Sequence, residues 1–139
     1  MHNRKVYISG DIVPEIDAKI SIFDSAVLLG DTVTESTRTF NHVPFKLDDH
    51  LERLYKSFKL TRIDPQMTIE EMKKVSLDLL EINKDEYKAN EDCWLVHNIS
   101  RGHSITGGNP ALQISKPTVM IYTQPMNLVL WAPFYTKGC

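Results

Sequence analysis

The sequence predicts an α+β domain, and three observations predict it. Short runs rich in β-branched and aromatic residues recur in both halves of the chain. Two stretches between them carry apolar residues at helical spacing, and turn residues punctuate the boundaries. Periodicity alone gives five or six strands and two helices.

Taken in order, Lys5 to Ser9 alternates like a strand, Gly10 and Asp11 supply a hairpin turn, and Ile12 and Val13 begin the return. Glu15 to Lys19 is a polar connection, and Ile20 to Phe23 is a short apolar segment leading to Asp24. Ser25 to Gly30 reads equally as one turn of helix or a tight loop, with Gly30 supplying backbone freedom. The next strand, Thr32 to Phe40, is dominated by Thr32, Val33, Thr34, Thr37, Thr39 and Phe40. It reverses at Asn41 and His42, and Pro44 fits a short edge strand.

Leu47, Leu51, Leu54, Tyr55 and Phe58 then recur at helical spacing, while Asp48, Asp49, Glu52, Lys56 and Lys59 fall on the other faces. This is a half-buried helix, and Asp64-Pro65 should stop it. Thr68 and Glu71 fit the capping box of a second helix, whose stripe of Ile69, Met72, Val75, Leu79 and Leu80 ends near Ile82. A charged connector, Asn83 to Asp92, leads to a strand from Trp94 to Ser100. Gly102 to Pro117, with Gly107-Gly108-Asn109-Pro110, is a long loop of the kind that carries function or moves. Thr118 to Thr123 is a buried strand closed by Pro125, and Leu130 to Cys139 reads as a final strand.

Length and charge narrow the function. With 139 residues, 42% of them hydrophobic, the chain can bury one core, so residues 1–139 are read as a single domain. Sixteen basic residues against 18 acidic give a net charge of -2, and no basic run is interleaved with aromatics. Nucleic acid and membrane surfaces are therefore not expected partners. Cys93 and Cys139 have no metal-ligand or disulfide-framework spacing, which points to a reduced, cytoplasmic setting and no metal. No apolar stretch has signal-peptide or membrane-span length.

Several short motifs stand in a telling order: Val6 to Pro14, Ile20 to Asp24, Leu29-Gly30-Asp31, Glu35 and Arg38, Pro44-Phe45, His50-Leu51-Glu52-Arg53-Leu54, and Ile99 to Gly102. Together they resemble the class IV pyridoxal-phosphate aminotransferases. That group takes in branched-chain and D-amino-acid aminotransferases, (R)-selective amine transaminases and aminodeoxychorismate lyase. The resemblance implies the smaller N-terminal domain of fold type IV, a two-layer sandwich with an antiparallel sheet and two helices on one face.

The same resemblance implies pyridoxal 5'-phosphate as cofactor and Arg53 as the residue gripping its phosphate, a task suited to the planar paired donors of a guanidinium. On spacing alone, Arg53 reads as a solvated arginine pairing with Asp49, four residues earlier. Leu29, Thr34, Glu35, Arg38 and Arg101 are the substrate-pocket candidates. Glu35 and Arg38 stand three apart on a strand and must point to opposite faces, and a cross-strand ion pair is the plainer reading of them. Arg101 ends a strand where the long loop opens. His97 and His103 lack an acid partner at informative spacing and receive no role.

Departures from the family pattern matter too. Branched-chain and D-amino-acid enzymes commonly carry aromatics where Thr34 and Leu29 stand, which implies an apolar, less crowded pocket and an unusual amino donor. The arginine and histidine with which D-amino-acid enzymes hold the substrate carboxylate have no counterpart near Thr106. The catalytic lysine of the family belongs to the second domain or its edge, beyond Lys137, so no catalytic residue is assigned here.

The expected function is therefore the N-terminal portion of an aminotransferase that transfers an amino group between an amino acid or amine and a 2-oxo acid, branched-chain-like, and is inactive without the C-terminal domain. The alternatives are aminodeoxychorismate-lyase-like chemistry with the same cofactor and a non-catalytic, oligomerising domain. A homodimer or higher self-association is expected, with Trp131, Phe134 and Tyr135 as candidates for an exposed apolar patch.

Overall fold

The computed structural model describes residues 3–103, 116–126 and 128–138. Among them are β1 (Lys5–Ile8), β2 (Asp11–Pro14), α1 (Ser25–Leu29), β3 (Thr32–Phe40), β4 (Val43–Pro44), α2 (Leu47–Thr61), α3 (Ile69–Ile82), β5 (Cys93–Ser100), β6 (Thr118–Pro125) and α4 (Leu128–Lys137). The six strands form one sheet in the order β2-β1-β6-β5-β3-β4, and every neighbouring pair is antiparallel. The expected α+β sandwich is therefore present. Thr106 and the Gly107 to Pro110 turn lie outside the described residues, as do Cys139 and the side chain of Trp131.

Alternation along the strands decides which sheet face is covered. Along β3, Val33, Glu35, Thr37 and Thr39 are buried, whereas Thr34 and Phe40 are exposed. The covered face joins Val33, Leu95, Ile99, Val119 and Ile121 to Leu51, Leu54 and Phe58 of α2 and Met72 and Leu79 of α3. Burying each of these side chains stabilises the fold by about 1.5–3 kcal/mol before the entropy of ordering it is subtracted. Hence α2 sits directly over β3. Among the described residues neither α2 nor α3 covers the opposite face, and a groove of about 440 Å³ lies there between Val6, Ile8, Met120 and Tyr122 of the sheet and Ile20 of the connection before α1.

Local chemistry sets the boundaries. Ile8 pairs with Asp11, so the first hairpin turns at Ser9 and Gly10, both at positive φ, one residue earlier than the sequence suggests. Asn41 and His42 also take positive φ in the second hairpin, and the Asp92 carboxylate accepts from the His42 amide at 3.2 Å. Helix α2 stops at Arg62, in the left-handed conformation, before Asp64-Pro65 is reached. Thr68 and Glu71 form the capping box at the start of α3.

The open reading of residues 25–30 resolves as a helix. Asp24 caps α1 by accepting from the Ala26 amide, and Gly30 closes it at φ 66°. Asp24 is buried and also accepts from Ser100 Oγ at 2.6 Å and Thr118 Oγ1 at 2.5 Å. One carboxylate thus ties α1 to the ends of β5 and β6. Beside it, Gly102 has φ +93°, and a Cβ there would lie 1.9 Å from the Lys116 carbonyl oxygen.

The terminal segment corrects the sequence reading. Leu128–Lys137 is a helix containing Pro133, not a strand. A short apolar run without alternation fits either state, and proline removes a ladder donor from a strand as surely as it removes one helical bond. The helix is finished by Gly138, at φ 73°, whose amide donates to the Phe134 carbonyl at 3.0 Å.

Candidate functional site

Arg53 projects from α2 one side away from the buried Leu47–Leu51–Leu54–Phe58 stripe, and its side chain is 66% exposed. Its partner is not Asp49, which pairs with Lys46 at 3.2 Å. Because Glu35 sits on the covered face of β3 beneath α2, its carboxylate meets the guanidinium from below. Arg53 Nε donates to Oε2 at 2.7 Å and Nη2 to Oε1 at 2.6 Å, a paired, charge-assisted contact. The Ser36 amide and His50 Nδ1 also reach Oε1, at 3.0 and 2.9 Å.

The Glu35 carboxylate therefore accepts four bonds, close to the number its lone pairs can take. Burial works to raise its pKa, but the bonds from Arg53, His50 and the Ser36 amide outweigh it and hold the carboxyl at about 2. In turn, the Glu35 hydrogen bond and charge raise the pKa of Arg53. An ionised, acceptor-only carboxylate requires that His50 place its proton on Nδ1. Among the described residues no hydrogen bond engages Nη1 of Arg53, so its outer edge can take an oxyanion.

The other candidates lie elsewhere. Thr34 and Arg38 face the open side of the sheet, where the Arg38 guanidinium stands 3.9 Å from the centroid of the Phe40 ring. Leu29 ends α1 and is 73% exposed. Arg101 pairs with Asp31 at 2.8 Å and donates to the carbonyls of Thr61 and Arg62 at 3.0 and 2.6 Å, which closes the C-terminus of α2. Arg53 lies eight residues earlier on that helix, about 12 Å along its axis. Only Glu35 and Arg53 come together.

Two histidines join this picture. His50 received no role in the sequence, although its position three residues before Arg53 is the spacing that places both on one helical face. His97 lies directly across from Glu35 in the β3–β5 register, is fully buried, and meets Ser76 Oγ at 2.7 Å through Nε2. Burial lowers its pKa to about 4, with Glu35 pulling it up and His50 pushing it down. Among the described residues no cluster of His, Cys, Asp and Glu could hold a metal ion, and no helix is long and apolar enough to cross a membrane.

The arrangement is an arginine docked along one edge on a buried carboxylate and exposed along the other, and comparison with known proteins gives the family in which it stands. A Methanocaldococcus jannaschii protein provisionally named a branched-chain-amino-acid aminotransferase is 38% identical over 122 residues, 88% of this chain and 40% of that protein. The aminodeoxychorismate lyase of Bacillus subtilis is 34% identical over 87% of this chain and 40% of its own length. The chain thus spans about two fifths of these relatives.

Among solved structures, the branched-chain amino acid aminotransferase of Escherichia coli superposes with a TM-score of 0.77 at 25% identity, over 89% of this chain and 41% of that one. A hypothetical aminotransferase from Mycobacterium tuberculosis, in its PLP-bound form, shares the fold with a TM-score of 0.73 at 21% identity, over 92% of this chain and 42% of its own. The family model for amino-transferase class IV matches residues 32–136, a span that holds Glu35, His50, Arg53 and Arg101, and the chain belongs to that family.

Proposed function

We propose that this chain forms the N-terminal domain, residues 1–139, of a pyridoxal-phosphate-dependent aminotransferase, and that Arg53 grips the cofactor phosphate. The observation that carries the reading is the Arg53 guanidinium, held at Nε and Nη2 by a buried carboxylate while its outer edge stays exposed. Such an edge fits a phosphate monoester, whose oxygens accept paired N–H donors. When bound, the cofactor supplies the electron sink through which an amino group passes between an amino donor and a 2-oxo acid. The chain's own part is to bind and orient. The lysine that would carry the cofactor belongs to the portion of the relatives beyond this match.

Leu29, Thr34 and Arg38 remain the proposed substrate-side residues, Leu29 at the exposed end of α1 and Thr34 and Arg38 on the sheet face opposite Glu35. Neither Leu29 nor Thr34 is aromatic, so the pocket is apolar and uncrowded, and its natural substrate is a branched-chain-like donor or a bulkier amine. Ile20, Ile22, Phe23, Val27, Leu28 and Leu29 are all exposed at 38% or more, which favours a homodimer formed through this segment in the reduced cytoplasm. Phe134 and Tyr135, exposed on α4, are candidates for a further apolar patch. The lyase reading rests on the 34% identity to the B. subtilis enzyme and uses the same cofactor contact.

The test is a titration of the chain with pyridoxal phosphate and, in parallel, with pyridoxal, which lacks the phosphate. The expected result is weak binding that depends on the phosphate and disappears in Arg53→Ala, with no single lysine labelled stoichiometrically after borohydride reduction. Equal binding by Arg53→Ala overturns the assignment of Arg53. Stoichiometric labelling of one lysine overturns the placement of the catalytic lysine outside this chain.

A further inference from the structure

We propose that Glu35, supported by His50, is the positioning residue that fixes Arg53 for phosphate capture, an inference that rests on the reading of Arg53 given above. A guanidinium has two edges that can make paired bonds: the side edge, Nε with Nη2, and the end edge, Nη1 with Nη2. In this chain the side edge is docked on Glu35, at 2.7 and 2.6 Å. The end edge, Nη1 with the second N–H of Nη2, is the one left to an incoming anion, with His50 Nδ1 standing 3.2 Å from Nη2.

What makes the dock firm is how Glu35 is held. Its side chain is 7% exposed, and the Ser36 amide and His50 Nδ1 fix Oε1 from two further directions. The His50 ring comes from one turn earlier on α2, so strand and helix both hold the carboxylate. Arg53 itself has no such support. With two thirds of its side chain in solvent, an undocked arginine would sample many rotamers and surrender that entropy on binding. Glu35 removes this loss in advance.

The inference separates cleanly from simple electrostatics. Glu35 is an anion beside the proposed anion site, so Coulomb's law alone says that Glu35→Gln should tighten phosphate binding. Positioning says the opposite. An amide in place of the carboxylate offers one acceptor and adds an N–H that opposes the donors of Arg53 and His50, which frees the guanidinium. Lysine at position 53 would not replace the arginine, because one ammonium cannot satisfy the buried carboxylate along one edge and a phosphate along another.

The experiment compares the affinity of the full chain for pyridoxal phosphate, relative to pyridoxal, in the parent, Glu35→Gln, Glu35→Asp, Arg53→Ala and the Glu35→Gln/Arg53→Ala pair. Circular dichroism of each variant reports folding, and the Arg53 Nε–H resonance in NMR reports the dock directly. Glu35→Gln is expected to weaken the phosphate-dependent part roughly tenfold, the scale of one charge-assisted bond, and to shift and broaden the Nε–H resonance. Glu35→Asp keeps the charge but retracts the carboxylate, and is expected to weaken it too. In the Arg53→Ala background Glu35→Gln should change nothing further.

Unchanged or tighter binding by Glu35→Gln, with binding still lost in Arg53→Ala, overturns the positioning role and leaves the Arg53 reading standing. An equal effect of Glu35→Gln with and without Arg53 also overturns it. Unaltered binding in Arg53→Ala, or no phosphate dependence in the parent, overturns both.

Discussion

Acidifying this protein should cost it stability well above the range where carboxylates titrate, and His97 is the reason. Ser76 Oγ donates its one proton to the Met72 carbonyl at 2.7 Å, so it can only accept from His97, also at 2.7 Å. Nε2 must therefore carry the imidazole proton, and Nδ1 is the bare nitrogen. That nitrogen is buried with no hydrogen-bond partner among the described residues. A second proton would have to sit there, desolvated and without an acceptor.

The charged neighbours do not rescue it. Glu35, across the strand, favours the imidazolium, but His50 on the overlying helix disfavours it, and burial outweighs both, so the pKa falls from 6.5 to about 4. The sign follows directly. Between pH 6.5 and about 4 the unfolded chain binds this proton and the folded chain does not, so stability falls as pH falls through that window. At 1.36 kcal/mol per unit the full effect is about 3 kcal/mol, a sizeable part of the roughly 5–15 kcal/mol that holds a domain folded.

Urea unfolding of the parent and of His97→Gln at intervals from pH 7.5 to 4.5 measures this. The variant starts less stable, because the packed ring is gone, but its midpoint should vary much less with pH than the parent's. Parallel pH profiles for the two proteins would refute the tautomer argument and the role of burial together. Glu35 acts lower down. With its carboxyl held near pH 2, the stability it confers is lost as pH falls from 4.5 toward 2. That loss is at most about 3 kcal/mol, and solvent around the exposed partner Arg53 reduces it to about 1–2 kcal/mol.

Two further outcomes follow from the tie between α1, β5 and β6. Asp24→Asn keeps the shape but replaces an acceptor of three bonds with a half-donor, so it should lower unfolding free energy by about 2–3 kcal/mol, seen in urea midpoints at pH 7. Gly102→Ala places a Cβ 1.9 Å from the Lys116 carbonyl at a φ of +93°. It should cost at least about 2 kcal/mol in the same assay, and a neutral result would mean that the β5 exit and Lys116 do not approach this closely.

Local chemistry made most elements legible in the sequence. The Thr68–Glu71 capping box, the stripe of α2 and the reversal at Asn41 and His42 all depend on residues within a few positions of one another. Local rules apply to them directly. The terminal helix was misread for the same reason, since Leu130 to Tyr135 carries no period that separates strand from helix.

The site was legible by halves. Arg53 could be singled out, but its partner could not, because Glu35 lies 18 residues away and only the covering of one sheet face by α2 brings them together. Alternation along β3 showed that Glu35 and Arg38 must part. It could not show which of them goes under the helix, and that choice is what separates a docked, directional arginine from two unrelated surface charges. Once the helix covers Glu35, the rest is forced: a buried carboxylate must find donors, Arg53 and His50 are the ones on the overlying turn, and docking one edge of the guanidinium leaves its other edge exposed.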